Sequence, residues 1–126
     1  MRSAVAISGL ALGLGLVSQG TAQAAQATAW TNPSHIGQAS FNTSSGQLTV
    51  WDTYTDNRRV KASVWNITLG GAHVVSAEDA NGNNSDPGYA WASGGYRSGD
   101  RLQIQVCRQA GATGTPYDCG YAYVTV

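Results

Sequence analysis

The chain has 126 residues, with seven Lys and Arg against seven Asp and Glu, and only 11% of its residues are charged. That balance leaves no dense basic patch for nucleic acid; Arg58-Arg59 with Lys61 is a local cluster only. A hydrophobic share of 42%, with Val, Tyr and Trp recurring throughout, excludes a disordered tail.

The chain opens on Arg2 and the apolar run Ala4–Val17 (AVAISGLALGLGLV), which together have the form of a secretory leader. The run is shorter than the roughly 20 residues that span a bilayer. Ala22-Gln23-Ala24 and Ala25-Gln26-Ala27 both fit the A-x-A cleavage pattern. Residues 1–25 are therefore expected to be a signal peptide, cut after about Ala25 or Ala27, and residues 26–126 a single secreted, extracellular domain with no membrane attachment. No Cys lies near the cut to carry a lipid. The Ala/Gly-rich leader looks bacterial, so the N-x-S/T triplets at Asn42, Asn66 and Asn83 are not read as glycosylation sites.

Beyond the leader, strand-like alternation recurs. Short candidates are Gln38–Asn42, His73–Ala77 and Tyr89–Ala92. The run GQLTVWDTY sets Leu48 and Val50 against Thr49, Trp51 and Thr53. In RRVKASVWNITL, Val60, Ala62 and Val64 oppose Lys61, Ser63 and Trp65. Between those two runs, Thr55-Asp56-Asn57-Arg58 reads as the polar tip of a hairpin. DRLQIQVC places Leu102, Ile104 and Val106 opposite Arg101, Gln103 and Gln105, and GYAYVTV places Tyr121 and Tyr123 opposite Ala122, Val124 and Val126. No helical period follows the leader, and there is neither an internal repeat nor a second domain. About seven short strands predict an all-β fold, a small antiparallel β-sandwich or alternatively a small β-barrel.

Cys107 and Cys119 are the only cysteines. In an exported chain an even pair implies one disulfide, here stapling the last hairpin across RQAGATGTPYD. Closing a loop of this size contributes on the order of 3 kcal/mol.

Four Trp and six Tyr are a heavy aromatic load for so small a domain. Trp51 and Trp65 fall on the polar-alternating side of the expected hairpin. Either a second sheet covers that side and they are core, or it is a wet face offering aromatic area to a glycan or protein partner. Tyr89, Trp91 and Tyr96, in GYAWASGGYRSGD, are further binding candidates.

EDANGNNSDPG spaces Asp79, Asn81 and Asn83 two apart and adds Asp86, an oxygen-rich ladder of the kind that holds Ca²⁺. Against an EF-hand, Asn84 stands where Gly is required and Ala90 where a bidentate Glu is required. Asn81-Gly82 is also a strong hairpin-turn signal. The turn is the preferred reading; no metal or other cofactor is expected.

Catalytic patterns are thin. His73 lies near Glu78 and Asp79 with Ser residues nearby, but no nucleophile elbow or metalloprotease motif fixes a site. Asp52 and Asp56 flank Tyr54, yet a carboxylate pair for glycoside hydrolysis also needs a cleft.

The segments LTVWDTYTDNRRVKASVW and GDRLQIQVCRQAGATGTPYDCG resemble those of small secreted actinobacterial single-disulfide β-proteins. In that group a strand ending in Asp leads to an Asp-containing tip, and a G-x-x-(L/V)-x-(L/I)-x-V-C strand is followed by a second Cys-Gly. The likeness covers about Leu48 to Gly120 and implies the fold and secretion; the group has no generally assigned activity, and no functional residue carries across.

Three functions are thus expected in order. The first is an extracellular binding module for a glycan or cell-surface partner, using Trp51, Trp65, Trp91, Tyr89 and Tyr96. The second is an inhibitor of a secreted hydrolase presenting the braced loop 108–118, with Arg108 or Tyr117 as its specificity residue. The third is a small hydrolase around His73.

Overall fold

The computed structural model describes residues 25–54, 56–80 and 86–126. Apart from Ala25 the expected leader lies outside the described residues, as do Asn81, Gly82 and Asn83 of the acidic loop. Among the described residues there are eight strands and no helix: β1 (Gln26–Trp30), β2 (Gly37–Asn42), β3 (Gln47–Asp52), β4 (Arg59–Asn66), β5 (Ala72–Asp79), β6 (Gly88–Trp91), β7 (Arg101–Gln109) and β8 (Tyr117–Thr125).

The strands form two four-stranded antiparallel sheets, in the order β1-β2-β3-β6 and β5-β4-β7-β8. The fold is thus a sandwich and not a closed barrel. Its core follows directly from the alternation in the sequence. Ala29, Ala39, Phe41, Leu48 and Val50 point inward from the first sheet, and Val60, Val64, Leu102, Ile104 and Val106 meet them from the second. Each large aliphatic or aromatic side chain removed from water in this way contributes roughly 1.5–3 kcal/mol. Val75 joins them, and Ala122 and Val124 pack against the margin.

The expected hairpin between β3 and β4 does not form. The ladders of β3 are filled by β2 and β6, and those of β4 by β5 and β7. The chain instead passes from one sheet to the other between β3 and β4. The Asp56–Arg58 segment is still a local turn, with Arg58 N donating to Asp56 Oδ1 at 3.0 Å and Asn57 at φ 58°. Alternation fixes which side chains share a face of one strand; it says nothing of which strand lies alongside. β5 and β6, on either side of the acidic stretch, also belong to different sheets.

Two glycines set the distance at the seams. A Cβ on Gly120 of β8 would stand 1.7 Å from the Trp30 carbonyl oxygen of β1, and one on Gly88 of β6 would stand 1.9 Å from the Glu78 carbonyl oxygen of β5. At each seam the backbone of one sheet's edge strand therefore lies directly against the other sheet. Asn32 N–H also bonds the Asp118 carbonyl at 3.2 Å near the first seam. Covering edges in this way limits their availability to other chains.

The expected disulfide is present. Cys107 and Cys119 are bonded, and no described cysteine is free. It joins β7 to β8 where their register shifts between Val106 and Arg108.

Candidate functional site

Because each strand sends every second side chain outward, the register of the ladders determines what the two outer faces display. On the first sheet the outward residues fall into rows. Trp30, Gln38 and Trp51 make one row across β1, β2 and β3. Thr28, Ser40, Thr49 and Tyr89 make the next. Gln26, Asn42, Gln47 and Trp91 make the third.

No charged side chain occurs in these rows. Amides and hydroxyls form the floor, tied together where Gln26 Nε2 donates to Ser40 Oγ at 2.7 Å and Thr28 Oγ1 to the same oxygen at 3.3 Å. Aromatics border it. Tyr89 and Trp91 are two residues apart on β6, so both rings leave the same side, and they stack with centroids 5.9 Å apart and planes 20° apart. They are 52% and 61% exposed, unusual values for rings of this size, which ordinarily find cover. Trp30, 40% exposed, stacks on His35 at 6.1 Å. Trp51 is half-buried. From β1 to β6 the platform is about 14 Å wide, three strand spacings of about 4.8 Å.

On the second sheet the outward rows are His73, Trp65, Gln103, Tyr123 and Ser76, Ser63, Gln105, Tyr121. Gln103 Nε2 donates to Tyr123 Oη at 2.9 Å and Gln105 Nε2 to Tyr121 Oη at 3.4 Å. Arg101 lies over the Tyr123 ring at 4.8 Å. Half-buried Trp65 meets His73 edge-on at 5.0 Å.

The five aromatics singled out from the sequence are therefore divided. Trp51, Tyr89 and Trp91 share the first sheet's outer face, and Trp65 stands on the opposite side of the sandwich. The shared Trp51/Trp65 face followed from the hairpin that does not form; nor is either Trp core between the sheets. Tyr96 is turned inward: its ring packs on Phe41 at 5.7 Å, its hydroxyl donates to the Thr43 carbonyl at 2.8 Å, and burial raises its pKa. Trp30, Tyr121 and Tyr123 were not among the expected site residues. Tyr121 and Tyr123 had a usable signal, since their alternation with Ala122 and Val124 already placed them outward.

The alternative sites are placed as follows. Arg108 is directed toward the body of the protein, with Nη2 at 2.5 Å from Asp56, Nη1 at 3.7 Å from Asp118, and its Cζ over the Tyr117 ring at 5.3 Å. Burial works against its charge, but the Asp56 hydrogen bond and the nearby Tyr117, Asp56 and Asp118 hold its pKa above the usual value. Tyr117 is exposed, though engaged with Arg108. His73 Nε2 lies 2.6 Å from Ser76 Oγ, which is 2.8 Å from Ser63 Oγ. That is a nucleophile–base contact, but the further contact of the imidazole is the Trp65 edge, not an orienting carboxylate. Glu78 is held by Arg59 at 2.6 Å. Of the acidic ladder, Asp79 is buried and its Oδ2 accepts the Asp52 backbone N–H at 2.9 Å, whereas Asp86 is exposed. No group of three metal-ligating side chains occurs among the described residues.

No family model matches the chain, and no curated protein or solved structure matches it either.

Proposed function

We propose that the protein is a secreted, extracellular binding module for an uncharged polysaccharide, and that the outer face of the first sheet is its platform. The observation that carries the reading is the exposed, stacked Tyr89–Trp91 pair bordering a floor of amides and hydroxyls with no charged side chain. A sugar ring presents C–H faces, which suit aromatic area, and equatorial hydroxyls, which suit Gln, Thr and Ser as combined donors and acceptors. The rings' edges lie in ordered secondary structure, so little conformational entropy is lost on contact. The disulfide fits an oxidising compartment and supports secretion.

The test is depletion from solution by insoluble chitin, cellulose and curdlan. Wild-type protein is expected to bind at least one of them, and the double variant Tyr89→Ala/Trp91→Ala to be depleted markedly less. Equal depletion of both proteins would refute the platform. An absence of wild-type binding to every neutral polymer tried would refute the function.

A further inference from the structure

The second sheet's outer face holds a groove of about 450 Å³ between Trp65 on one side and Tyr121 and Tyr123 on the other, with Gln103 and Gln105 along its floor. Ile67 and Gly71 close one end, and no residue lining the groove is charged. A smaller hollow of about 180 Å³ continues past Trp65 and Gln105 toward Lys61, Ser63 and Pro116. The two hollows share Trp65 and Gln105, so the depression runs along the sheet.

The groove repeats the chemistry of the platform with different residues. Each Gln gives one N–H to a phenol, which fixes the amide plane and leaves its carbonyl and second N–H for a ligand. Both Tyr rings are about half exposed, at 52% and 48%. Arg101 on the Tyr123 ring holds that wall upright. The larger groove has no charged lining residue, Lys61 standing only in the smaller hollow and Arg101 behind the Tyr123 ring. It has too many fixed amides to suit an aliphatic partner; a neutral sugar chain satisfies both the rings and the amides.

From this we infer a second saccharide site in the groove formed by Trp65, Gln103, Gln105, Tyr121 and Tyr123. It takes the same uncharged class of polymer as the platform, and this inference rests on the glycan-binding reading of the platform. The two faces belong to different sheets of one sandwich and point in opposite directions. One molecule therefore holds two chains at once, a bridge between polymer strands rather than a coat on one of them. Tethering of this kind gains strength through local concentration once the first chain is bound.

The experiment uses the full secreted protein adsorbed on whichever of chitin, cellulose or curdlan binds it. The washed solid is then offered a fluorescein-labelled soluble hexasaccharide of the same polymer. Two variants accompany wild type: the platform variant Tyr89→Ala/Trp91→Ala and the groove variant Tyr121→Ala/Tyr123→Ala. All four side chains are exposed, and thermal unfolding checks that both variants are folded. Free hexasaccharide titrated into each protein in solution gives the stoichiometry. The inference requires that protein on the solid retain label, that wild type bind two hexasaccharides, and that each variant bind one while its solid retains label only at background. A groove variant that retains label and binds two hexasaccharides as wild type does would overturn the second site and leave the platform standing. Wild type that binds the solid but only one hexasaccharide would do the same. Wild type that binds no polymer would overturn the platform reading and this one together.

Discussion

Asp79 Oδ2 accepts the backbone N–H of Asp52 at 2.9 Å, and this single bond ties the end of β5 in one sheet to the end of β3 in the other. Both residues are almost fully buried. Asp52 Oδ1 in turn accepts the Tyr54 N–H at 3.0 Å, which shapes the exit toward the second sheet, while its Oδ2 has no hydrogen-bond partner among the described residues. Two of the carboxylates that seemed, from the sequence, to offer catalysis or a metal ladder thus serve the join between the sheets.

The state of Asp52 makes stability depend on pH. Burial raises its pKa above 3.8, and the charges of Asp56 and Asp79 push in the same direction against the Tyr54 hydrogen bond and Arg108. A carboxyl whose pKa is higher folded than unfolded binds its proton more tightly in the native state. Its contribution is therefore fully present below the unfolded pKa and is lost as pH rises through the folded one. Asp52→Asn keeps the Oδ1 acceptor and removes the buried charge. The variant is expected to melt higher than wild type at pH 7, with the gain vanishing toward pH 3. Thermal unfolding across that range checks the sign; a variant less stable than wild type at neutral pH contradicts it.

Asp79→Ala leaves the Asp52 N–H without its partner in the interior, at a cost of about 1–3 kcal/mol in denaturant unfolding. Because the Asp79 carboxylate is committed to that bond, millimolar calcium is expected to leave the melting temperature of the wild type unchanged. A rise on adding calcium would show linked binding and restore the metal reading.

The seams predict where a single methyl group is intolerable. Gly120→Ala and Gly88→Ala each drive a Cβ into a backbone carbonyl of the facing sheet. Overpacking typically costs about 1–3 kcal/mol, and contact with backbone that cannot swing aside belongs at or above the top of that range. Gly70→Ala, at φ 73° with no atom within 4 Å of the new Cβ, is the comparison: it carries a left-handed backbone penalty that Gly88 and Gly120 do not, and no clash. Urea unfolding of the three variants orders them; equal losses would contradict the seam.

Much of this was legible in the sequence. The alternation of Leu48/Val50, Val60/Val64 and Leu102/Ile104/Val106 named the core, because inward positions of a two-layer fold must be apolar whatever the strand order. Pairing was not legible. The polar segment 53–58 has the composition of a hairpin tip, but nothing local reports that β6 would take the second edge of β3. That pairing also moved Tyr89 and Trp91 beside Thr49 and Gln47, residues 40 and 44 positions away, and built the platform from strands distant in sequence. β1 was missed because Gln26–Trp30 begins among the small residues read as a cleavage zone.

That strand bears on processing. Thr43 clasps Ala25 through three bonds: Thr43 N to Ala25 O at 2.9 Å, Ala25 N to Thr43 Oγ1 at 3.2 Å, and Thr43 Oγ1 to Ala25 O at 3.0 Å. Cleavage at Ala22-Gln23-Ala24 preserves the clasp and all of β1, whereas cleavage after Ala27 removes the clasp and the first two residues of β1. Under the proposed secretion, the processed chain is expected to begin at Ala25; intact-mass measurement giving a start at Thr28 would contradict that.

An uncharged platform has a further signature. Its affinity for a neutral polymer is expected to be nearly constant between about 0.05 and 1 M salt, over which the screening length falls from more than 10 Å to about 3 Å. Binding that weakens steeply with salt would point to ionic contacts outside the platform.

The central claim is that Trp91 and Tyr89 touch the ligand, and tryptophan fluorescence reads it directly. Titrating chito-, cello- and laminari-hexaose into the wild type is expected to quench or blue-shift the emission with at least one of them. With the groove removed by Tyr121→Ala/Tyr123→Ala in both proteins, adding Trp91→Ala should weaken the affinity by at least about tenfold, the equivalent of 1.4 kcal/mol. An unchanged wild-type spectrum at saturating polysaccharide, or an affinity undiminished by Trp91→Ala in that background, would contradict the account.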